Sequence, residues 1–258
     1  MVTGGGTNLG RAAAAELARC GATVVIVGRR EDVLRRAADE IGCTWLSGDI
    51  REREQARRII REAVDHHGRV DFLLNNAGGQ YFVPAESITE KGWRAVQRLN
   101  VGGTLAMSEA AFELAMNPAH AGTIVNVTVS PHHGMPAMAH TGAARAAVEA
   151  MTKEFAAQWS GDGVNVSAIA IGRFATESLR KYPAELWRGA ARTVPLQRLG
   201  DVEEYAWLVA LLASPLGSAF SGSVVTLDGG LDNWHGPWPP EQLAPEGQVP
   251  TEERQAHS

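Results

Sequence analysis

The chain has 258 residues, of which 45% are hydrophobic and 21% are charged, and its formal net charge is -5 at pH 7. This composition fits one globular α/β domain, and the lack of a basic stripe argues against a nucleic-acid partner. No apolar run approaches the ~18–20 residues of a membrane span, and we expect no signal peptide. Cys20 and Cys43 belong to no CxxC or Cys/His cluster, so we expect reduced thiols, no metal site and a cytoplasmic protein.

The first predicted element is a glycine-rich turn, TGGGTNLG over residues 3–10, between a strand that ends at Val2 and a helix over 11–20. A second strand over 22–27 follows. Backbone N–H groups in such a turn, together with the helix dipole, favour a bound anion. The order strand, turn, helix, strand therefore predicts a site for the pyrophosphate of a dinucleotide.

Two features of this turn are unusual. The strand before it is nearly absent, although it should be central and buried in a doubly wound sheet. Either the first strand is unusually short, or the given start lies a few residues late. Asn8 stands where the pattern has its second glycine. Because asparagine tolerates a left-handed backbone, we expect the turn to survive with a side chain that crowds the phosphates.

The end of the second strand indicates which dinucleotide is bound. An acidic residue usually holds the ribose 2′-hydroxyl of NAD at this point, but here Gly28 is followed by Arg29 and Arg30. A guanidinium can bind a 2′-phosphate through paired hydrogen bonds. The sequence thus favours NADP(H) over NAD(H), although both arginines could simply open the next helix.

The next predicted elements are a helix over 31–41, a strand over 44–50, a helix over 52–67 and a strand over 70–74. Asp49, at the polar end of the third strand, is placed to meet the adenine edge, to cap the following helix, or to do both. The last of these strands runs into a turn of small residues, where open α/β sheets bind ligands.

The chain resembles the short-chain dehydrogenase/reductase family over residues 2–230. The motifs that carry the resemblance are TGGGTNLG, the pair Asp49-Ile50, NNAG over 75–78 and LNV over 99–101. The resemblance implies a Rossmann-type domain over residues 1–232, that is, a doubly wound three-layer sandwich with a seven-stranded parallel sheet and a truncated first strand. It also implies a nicotinamide cofactor and a homotetramer or homodimer.

The pattern and the resemblance together assign the cofactor contacts. These are Gly4, Gly6, Thr7, Asn8, Leu9, Gly10, Arg29, Arg30, Asp49, Ile50, Asn76, Ala77, Gly78, Arg145, Gly172 and Thr176. The remaining elements are predicted as helical runs over 88–116, strands over 123–129, 164–170 and 222–230, a helix over 202–213, a substrate loop over 172–199 and a Pro-rich tail over 233–258.

The catalytic pattern departs from the family. Its catalytic Asn matches Asn100, although a plain polar helix residue is the alternative. Its Tyr and Lys match Thr141 and Arg145, and its Ser falls near Thr128 or Ser130. The arginine can still bind ribose hydroxyls, but an aliphatic hydroxyl does not titrate near neutral pH as an acid should. The family's usual carbonyl chemistry is therefore in doubt.

Within the family, the chain resembles peroxisomal trans-2-enoyl-CoA reductases, 2,4-dienoyl-CoA reductases and citronellol/citronellal dehydrogenases. The stretches concerned are 75–81, 90–93, 134–145 and 148–153. The resemblance implies NADP(H)-dependent reduction of a 2-enoyl-CoA or dienoyl-CoA in fatty acid metabolism. The alternatives are dehydrogenation of a hydrophobic or terpenoid alcohol, and a catalytically impaired nucleotide-binding protein.

Other side chains stay open as proton donors or substrate contacts, each with a plain structural alternative. The candidate donors are His132, His133, His140 and Tyr182, because histidine titrates near physiological pH. Aromatic residues of the substrate loop, Tyr182 and Trp187, could line an acyl pocket, and Arg192 could meet a CoA phosphate. Trp234 and Trp238 could dock on a neighbouring subunit, and we expect disorder from Pro245 onward.

Overall fold

A computed structural model describes residues 1–130, 132, 134, 137–177 and 189–233. Its strands are β1 (Val2–Thr3), β2 (Val25–Gly28), β3 (Thr44–Ser47), β4 (Phe72–Asn75), β5 (Gly122–Val129), β6 (Val164–Ile171) and β7 (Val224–Leu227). Within the described residues, these seven strands form one parallel sheet in the order β3-β2-β1-β4-β5-β6-β7. The predicted doubly wound sheet is confirmed.

Helices cover both faces of the sheet. They are α1 (Asn8–Arg19), α2 (Glu31–Ile41), α3 (Arg53–His67), α4 (Glu90–Gln97), α5 (Thr104–Ala111), α6 (Asn117–Ala119), α7 (Ala139–Trp159) and α8 (Val202–Ala213). No helix in the described part of the chain combines the length and apolarity needed to cross a membrane.

The sheet separates two apolar cores. Alternate side chains of β2 point to opposite faces, as the strand repeat requires. Val25 and Val27 lie in the core that includes residues of α3, α5 and α7. Ile26 lies in the other core, with residues of α1, α2 and α8. The helices α1, α2, α3, α5, α7 and α8 each bury apolar residues against the sheet, and the strand ends are left to form a site at one edge.

The first strand is as short as the sequence predicts. Its two residues pair with Ile26 and Val27 of β2, and Val2 also pairs with Leu74 of β4. The predicted third strand is too long, because β3 ends at Ser47. Ile50 turns away to pack on the π-helical segment after α4, where an added Cβ on Gly103 would lie 2.8 Å from Ile50 Cδ1.

The predicted helical runs between residues 88 and 116 are interrupted twice. A π-helical turn, Arg98–Gly103, separates α4 from α5, and a second, Phe112–Met116, precedes α6. The extra residue of a π turn widens the helix locally and is frequent at functional sites. Asn100 lies fully buried in the first of these turns.

Candidate active site

The carboxyl ends of the parallel strands meet at one edge of the sheet. The turns after β1, β4, β5, β6 and β7 all emerge there, and they carry most of the residues that the sequence predicts for the site. In open α/β sheets this edge is the place where ligands bind. The predicted residues that fall at 133, 182, 187, 234 and 238 lie outside the described residues.

The glycine-rich turn is closed by backbone contacts. The Gly4 N–H donates to the carbonyl of Val27 at 2.7 Å, and Gly4 has a φ of 66°. A Cβ on Gly10 would lie 2.3 Å from Gly4 O, so no other residue fits there. Asn8 has a φ of 48°, which confirms that the turn keeps a left-handed residue at this position.

The remaining turn residues assigned to the cofactor are Gly6, Thr7 and Leu9, and all three are half-buried. Helix α1 begins at Asn8 rather than at Arg11 as predicted, because the Arg11 N–H already donates to Thr7 O at 3.1 Å. The turn thus leads directly into the amino end of α1. The N–H groups of the turn therefore lie at the positive end of the helix dipole.

The turn after β4 makes hydrogen bonds to Thr3, at the start of the glycine-rich turn. Asn76 Nδ2 donates to Thr3 O, and the Ala77 N–H donates to Thr3 Oγ1, each at 3.0 Å. The Asn76 Oδ1 accepts from the phenol of Tyr205 on α8 at 3.2 Å. Burial raises the pKa of Tyr205 far above its usual value, so this phenol remains a neutral donor. Asn76 is therefore held from both sides.

A surface pocket lies beside the end of β2. Its lining residues are Arg29, Ser47, Gly48, Asp49, Gln55 and Arg58. Arg58 Nη2 donates to Ser47 O at 2.6 Å, and its Nη1 pairs with Glu62 at 2.8 Å. The pocket therefore presents two guanidinium groups, one of which the sequence analysis missed because Arg58 lies in the middle of a helix.

Arg30 and Asp49 take different positions from those assigned to them. Arg30 is the N-cap residue of α2, which matches the alternative that it opens this helix. Asp49 does not cap α3, whose N-cap is Glu52 without a side-chain hydrogen bond. Its carboxylate instead accepts from Arg51 Nε at 2.8 Å and from the Arg51 N–H at 3.1 Å. Those hydrogen bonds lower the pKa of Asp49, with a smaller contribution from the charge of Arg29.

Asn100 locks the π-helical turn to the turn after β4. Its Nδ2 donates to Gly79 O at 2.8 Å and to Val96 O at 2.9 Å, and its Oδ1 accepts from the Gly79 N–H at 3.2 Å. The side chain bridges backbone groups that no regular helix would satisfy. Its location in the helix interruption agrees with the supporting role that the sequence predicts.

Arg145 and Thr141 lie one turn apart on α7 and are both buried. Arg145 Nη1 donates to Val127 O at 2.6 Å, and a Cβ on Gly78 would lie 2.3 Å from Arg145 Nη2. Burial lowers the pKa of Arg145 to about 10, so it remains charged at neutral pH. Within the described residues, Arg145 Nε and Thr141 Oγ1 have no hydrogen-bond partner.

The two hydroxyls near the family's Ser position each face a carboxylate. Thr128 Oγ1 donates to Glu149 Oε1 at 2.8 Å, and Ser130 Oγ donates to Asp228. Glu149 also faces the ring of His132, one of the predicted donors, with Oε1 3.0 Å from His132 Nε2. The sequence analysis did not single out Glu149 or Asp228, because carboxylates on a helix and in a turn are usually solvated.

His140 is completely buried at the start of α7. Its ring lies edge-on to the ring of Tyr81, with centroids 4.4 Å apart, and neither ring nitrogen has a hydrogen-bond partner within the described residues. Gln97 Nε2 donates to the His140 carbonyl at 3.2 Å. The helix start is thereby held against α4.

Two further predicted cofactor residues follow β6. The Gly172 N–H donates to Leu227 O at 3.0 Å, and a Cβ on Gly172 would lie 2.6 Å from Asp228 Cβ. The Thr176 N–H donates to Phe174 O at 2.9 Å. Arg192, in contrast, lies exposed on the surface. Gly172 is therefore required by close packing at the site edge.

The arrangement suits a dinucleotide. Gly4 and Gly10 leave no room for a Cβ against the turn after β4, and this close packing holds the turn at the amino end of α1, where a phosphate can bind backbone N–H groups. At the other end of the edge, Thr141 Oγ1 and Arg145 Nε are buried polar atoms without protein partners. Buried polar groups are rarely left unsatisfied, and the hydroxyl and amide groups of a nicotinamide nucleotide are suitable partners for them.

Comparisons with known proteins find a matching family model, similar sequences and similar solved structures. A family model described as enoyl-(acyl carrier protein) reductase matches residues 5–232. A probable 2,4-dienoyl-CoA reductase of Bacillus subtilis (strain 168) is 35% identical over 251 residues, which cover 93% of this chain and 97% of that protein.

Two solved structures from Pseudomonas aeruginosa are also similar. One is a citronellol catabolism dehydrogenase of strain PAO1, with 36% identity, a TM-score of 0.81 and coverage of 90% of this chain and 93% of that chain. The other is a RhlG/NADP active-site complex, with 27% identity, a TM-score of 0.85 and coverage of 90% of this chain and 94% of that chain.

Proposed function

The chain belongs to the short-chain dehydrogenase/reductase family of oxidoreductases, and we propose that it uses NADPH to reduce the double bond of a 2-enoyl- or 2,4-dienoyl-CoA. The observation that carries this proposal is the pair Thr141 and Arg145 on α7, where the family has a phenol and an amine. An aliphatic hydroxyl can donate a hydrogen bond but is a poor acid. The pair therefore suits reduction of an activated double bond better than reduction of a carbonyl.

The pocket beside β2 supports the choice of NADP(H). Gly28 places no carboxylate at the end of β2, and Arg29 and Arg58 line the pocket. Guanidinium groups bind a 2′-phosphate in a planar, paired geometry. Two carboxylates lie close by, and both already accept hydrogen bonds within the protein: Asp49 from Arg51, and Glu31 from Ser47 Oγ at 2.8 Å.

Residues of α7 would hold the nicotinamide half. A bound dihydronicotinamide supplies a hydride. Arg145 is charged and has Nε unused by the protein, so we assign it to the hydroxyls of the nicotinamide ribose. The turn after β4, with Asn76, Ala77 and Gly78, would lie beside that ribose. Gly78 makes space there for the guanidinium of Arg145.

Hydride addition to the β-carbon of an enoyl thioester moves negative charge onto the thioester oxygen. A fixed donor near that oxygen lowers the barrier because it stabilises charge as it develops. Among the described hydroxyls at the strand edge, Thr128 and Ser130 donate to carboxylates, whereas Thr141 Oγ1 has no partner. We assign Thr141 to this oxygen as a hydrogen-bond donor, and we assign the proton that the α-carbon takes up to solvent water.

The decisive experiment is a substrate panel that follows NADPH consumption. Crotonyl-CoA, longer 2-enoyl-CoAs and 2,4-dienoyl-CoAs are tested as oxidants, and citronellol is tested with NADP⁺. We expect turnover with the thioesters. Turnover confined to citronellol would favour the alternative that the chain is a terpenoid alcohol dehydrogenase, which the similarity to the citronellol catabolism dehydrogenase supports.

Tight NADPH binding without turnover of any substrate would favour a third candidate, a catalytically impaired nucleotide-binding protein. This candidate is supported by the replacements at Asn8, Thr141 and Arg145. Fluorescence titration of NADPH, independent of turnover, separates it from a protein that has simply lost its fold.

We further propose a cytoplasmic homo-oligomer, either a tetramer or a dimer. Helix α8 carries Trp207 and Leu211 with 56% and 39% of their surface exposed, and exposed apolar side chains in one helix are typical of an interface. Light scattering after size-exclusion chromatography tests the assembly. A monomer at micromolar concentration would contradict it.

A further inference from the structure

One imidazole joins three segments at the substrate side of the site. His132 Nδ1 lies 2.5 Å from Asp232 Oδ2, and His132 Nε2 lies 3.0 Å from Glu149 Oε1. The backbone N–H of His132 also donates to Asp232 Oδ1 at 2.5 Å. We call these contacts the His132 bridge. It links the loop after β5, helix α7 and the turn after β7.

Both ring nitrogens of the bridge face carboxylates. An ionised carboxylate only accepts hydrogen bonds, and a neutral imidazole has a single N–H. The bridge is therefore complete only when His132 is an imidazolium. The three side chains are shielded, with 33% of His132, 16% of Glu149 and 21% of Asp232 exposed, so solvent screens their attraction only in part.

The bridge continues into the predicted catalytic hydroxyls. Glu149 Oε1 also accepts from Thr128 Oγ1 at 2.8 Å. Asp228 accepts from Ser130 Oγ and, at 2.7 Å, from the Asp232 N–H. The orientation of both hydroxyls thus depends on carboxylates that the bridge holds.

We propose that His132 is a positioning residue, which as an imidazolium holds Asp232 of the turn after β7 against Glu149 of α7 and so fixes the carboxylates that orient Thr128 and Ser130. Its role in substrate binding rests on the proposed function. The bridge itself does not, because it is built from contacts within the protein.

The charges around the imidazole determine what deprotonation does. Glu149 faces it from α7, and Asp232, with Asp228 behind it, faces it from the turn after β7. Arg145 lies one turn before Glu149 on α7 but aims its Nη1 at Val127 O. Loss of the imidazolium charge leaves the carboxylates of Glu149 and Asp232 facing each other, so Asp232 and its turn are expected to separate from α7.

The direction of the pH dependence follows from the pKa of His132. Partial burial opposes the charge, but the hydrogen bond to Asp232 and the charges of Glu149 and Asp232 outweigh it, so the pKa lies above the usual value of 6.5. A group with a raised folded-state pKa stabilises the fold fully below its unfolded pKa and loses that effect as pH rises through the folded value. The bridge is therefore closed below pH 6.5 and opens at a pH above it.

Hydrogen–deuterium exchange of the full chain without cofactor tests the bridge directly. Exchange is compared at about pH 6 and about pH 9, corrected for the intrinsic pH dependence, in peptides that contain Thr128 or Asp232. In the wild type and in the surface control His66→Gln, these peptides should exchange several-fold faster at the higher pH. In His132→Gln they should exchange equally fast at both.

A second variant keeps the test decisive if His132→Gln does not fold. Asp232→Asn preserves the acceptor for the His132 N–H but removes one negative charge, so the midpoint of the transition should move to lower pH. A wild type without any pH response, a pH response retained in His132→Gln, or an unmoved midpoint in Asp232→Asn would each overturn the proposal.

Steady-state kinetics then connect the bridge to the proposed activity. Above the exchange midpoint, KM for the enoyl-CoA should rise several-fold in the wild type with a smaller change in kcat, and His132→Gln should show the high KM at every pH. If no thioester is turned over but the exchange results hold, the proposed function fails and the bridge stands.

Discussion

The two ends of the site differ in the contacts that their residues make within the protein. The nucleotide end, around Gly4, Gly10 and Asn76, is closed by backbone atoms and by the side chain of Asn76, whose amide is hydrogen-bonded to Thr3 and Tyr205. At the predicted catalytic end, Thr141 Oγ1 and Arg145 Nε are buried and have no hydrogen-bond partner among the described residues. A site closed by its backbone tolerates few replacements, whereas side chains aimed at a ligand can be exchanged without altering the fold. The unusual chemistry of this chain accordingly lies at the second end.

The largest effect is expected at the nucleotide end, from Gly10→Ala. The new Cβ would lie 2.3 Å from Gly4 O, and backbone cannot rotate away as a side chain can. Overpacking of this kind lowers stability by about 1–3 kcal/mol. Because the displaced turn is the one assigned to the pyrophosphate, we also expect a loss of NADPH affinity of roughly 100-fold. Isothermal titration calorimetry measures it.

The matched control is Gly142→Ala on α7, where an added Cβ meets nothing within 4 Å. Because alanine is the better helix former, this variant should gain up to about 1 kcal/mol in stability and bind NADPH as the wild type does. Equal cofactor affinity of the two alanine variants would contradict the tight backbone closure of this end.

Arg145→Ala tests whether the catalytic end also contributes to cofactor binding. It removes a buried charge and its bond to Val127 O, and loss of a charge-assisted hydrogen bond costs about 1.5–3 kcal/mol. We expect NADPH affinity and kcat to fall together, by about 10- to 100-fold. Arg145→Lys, which restores the residue type that the family has at this position, should recover most of both. Unchanged affinity in Arg145→Ala would refute its assignment to the ribose.

Arg29→Ala addresses the cofactor preference. Arg29 is exposed at the pocket, so solvent screening places its contribution near the lower end of the ~1.5–3 kcal/mol range for charged hydrogen bonds. Affinity for NADPH should fall about tenfold, while affinity for NADH should not change. Arg30→Ala, at the N-cap of α2, serves as the control. If the wild type binds both cofactors equally well, the preference for NADP(H) is wrong.

The smallest effect is expected from Thr141→Val at the catalytic end. The substitution removes a hydroxyl without a protein partner, so stability should hold or rise. A hydrogen bond to the substrate oxygen is worth about 0.5–1.5 kcal/mol, which corresponds to roughly a 2- to 10-fold fall in kcat/KM with the best thioester. A fall of several orders of magnitude, with NADPH affinity intact, would show that Thr141 is the essential acid.

Local patterns in the sequence were sufficient for the fold and for the geometry of the glycine-rich turn. The glycine spacing over residues 3–10 predicts the turn, because only small or left-handed residues can pass there. Alternating apolar residues predict the strands, and the small residues after β4 predict a ligand edge. Strand ends were predicted less well: β3 ends at Ser47, whereas the predicted strand ran on to Ile50, which packs on Gly103 instead of pairing in the sheet.

The tertiary structure alone decided which distant side chains meet. Tyr205 reaches Asn76, Arg58 joins Arg29 at one pocket, and Asp232 joins His132 and Glu149. These partners are far apart in the chain and come together only because parallel strands deliver their carboxyl ends to the same edge. A sequence pattern of helical or strand period describes neighbours a few residues apart. The sequence therefore predicted the strands and helices of this protein. The carboxylates that surround the hydroxyls predicted to be catalytic were identified only from the packing of the sheet.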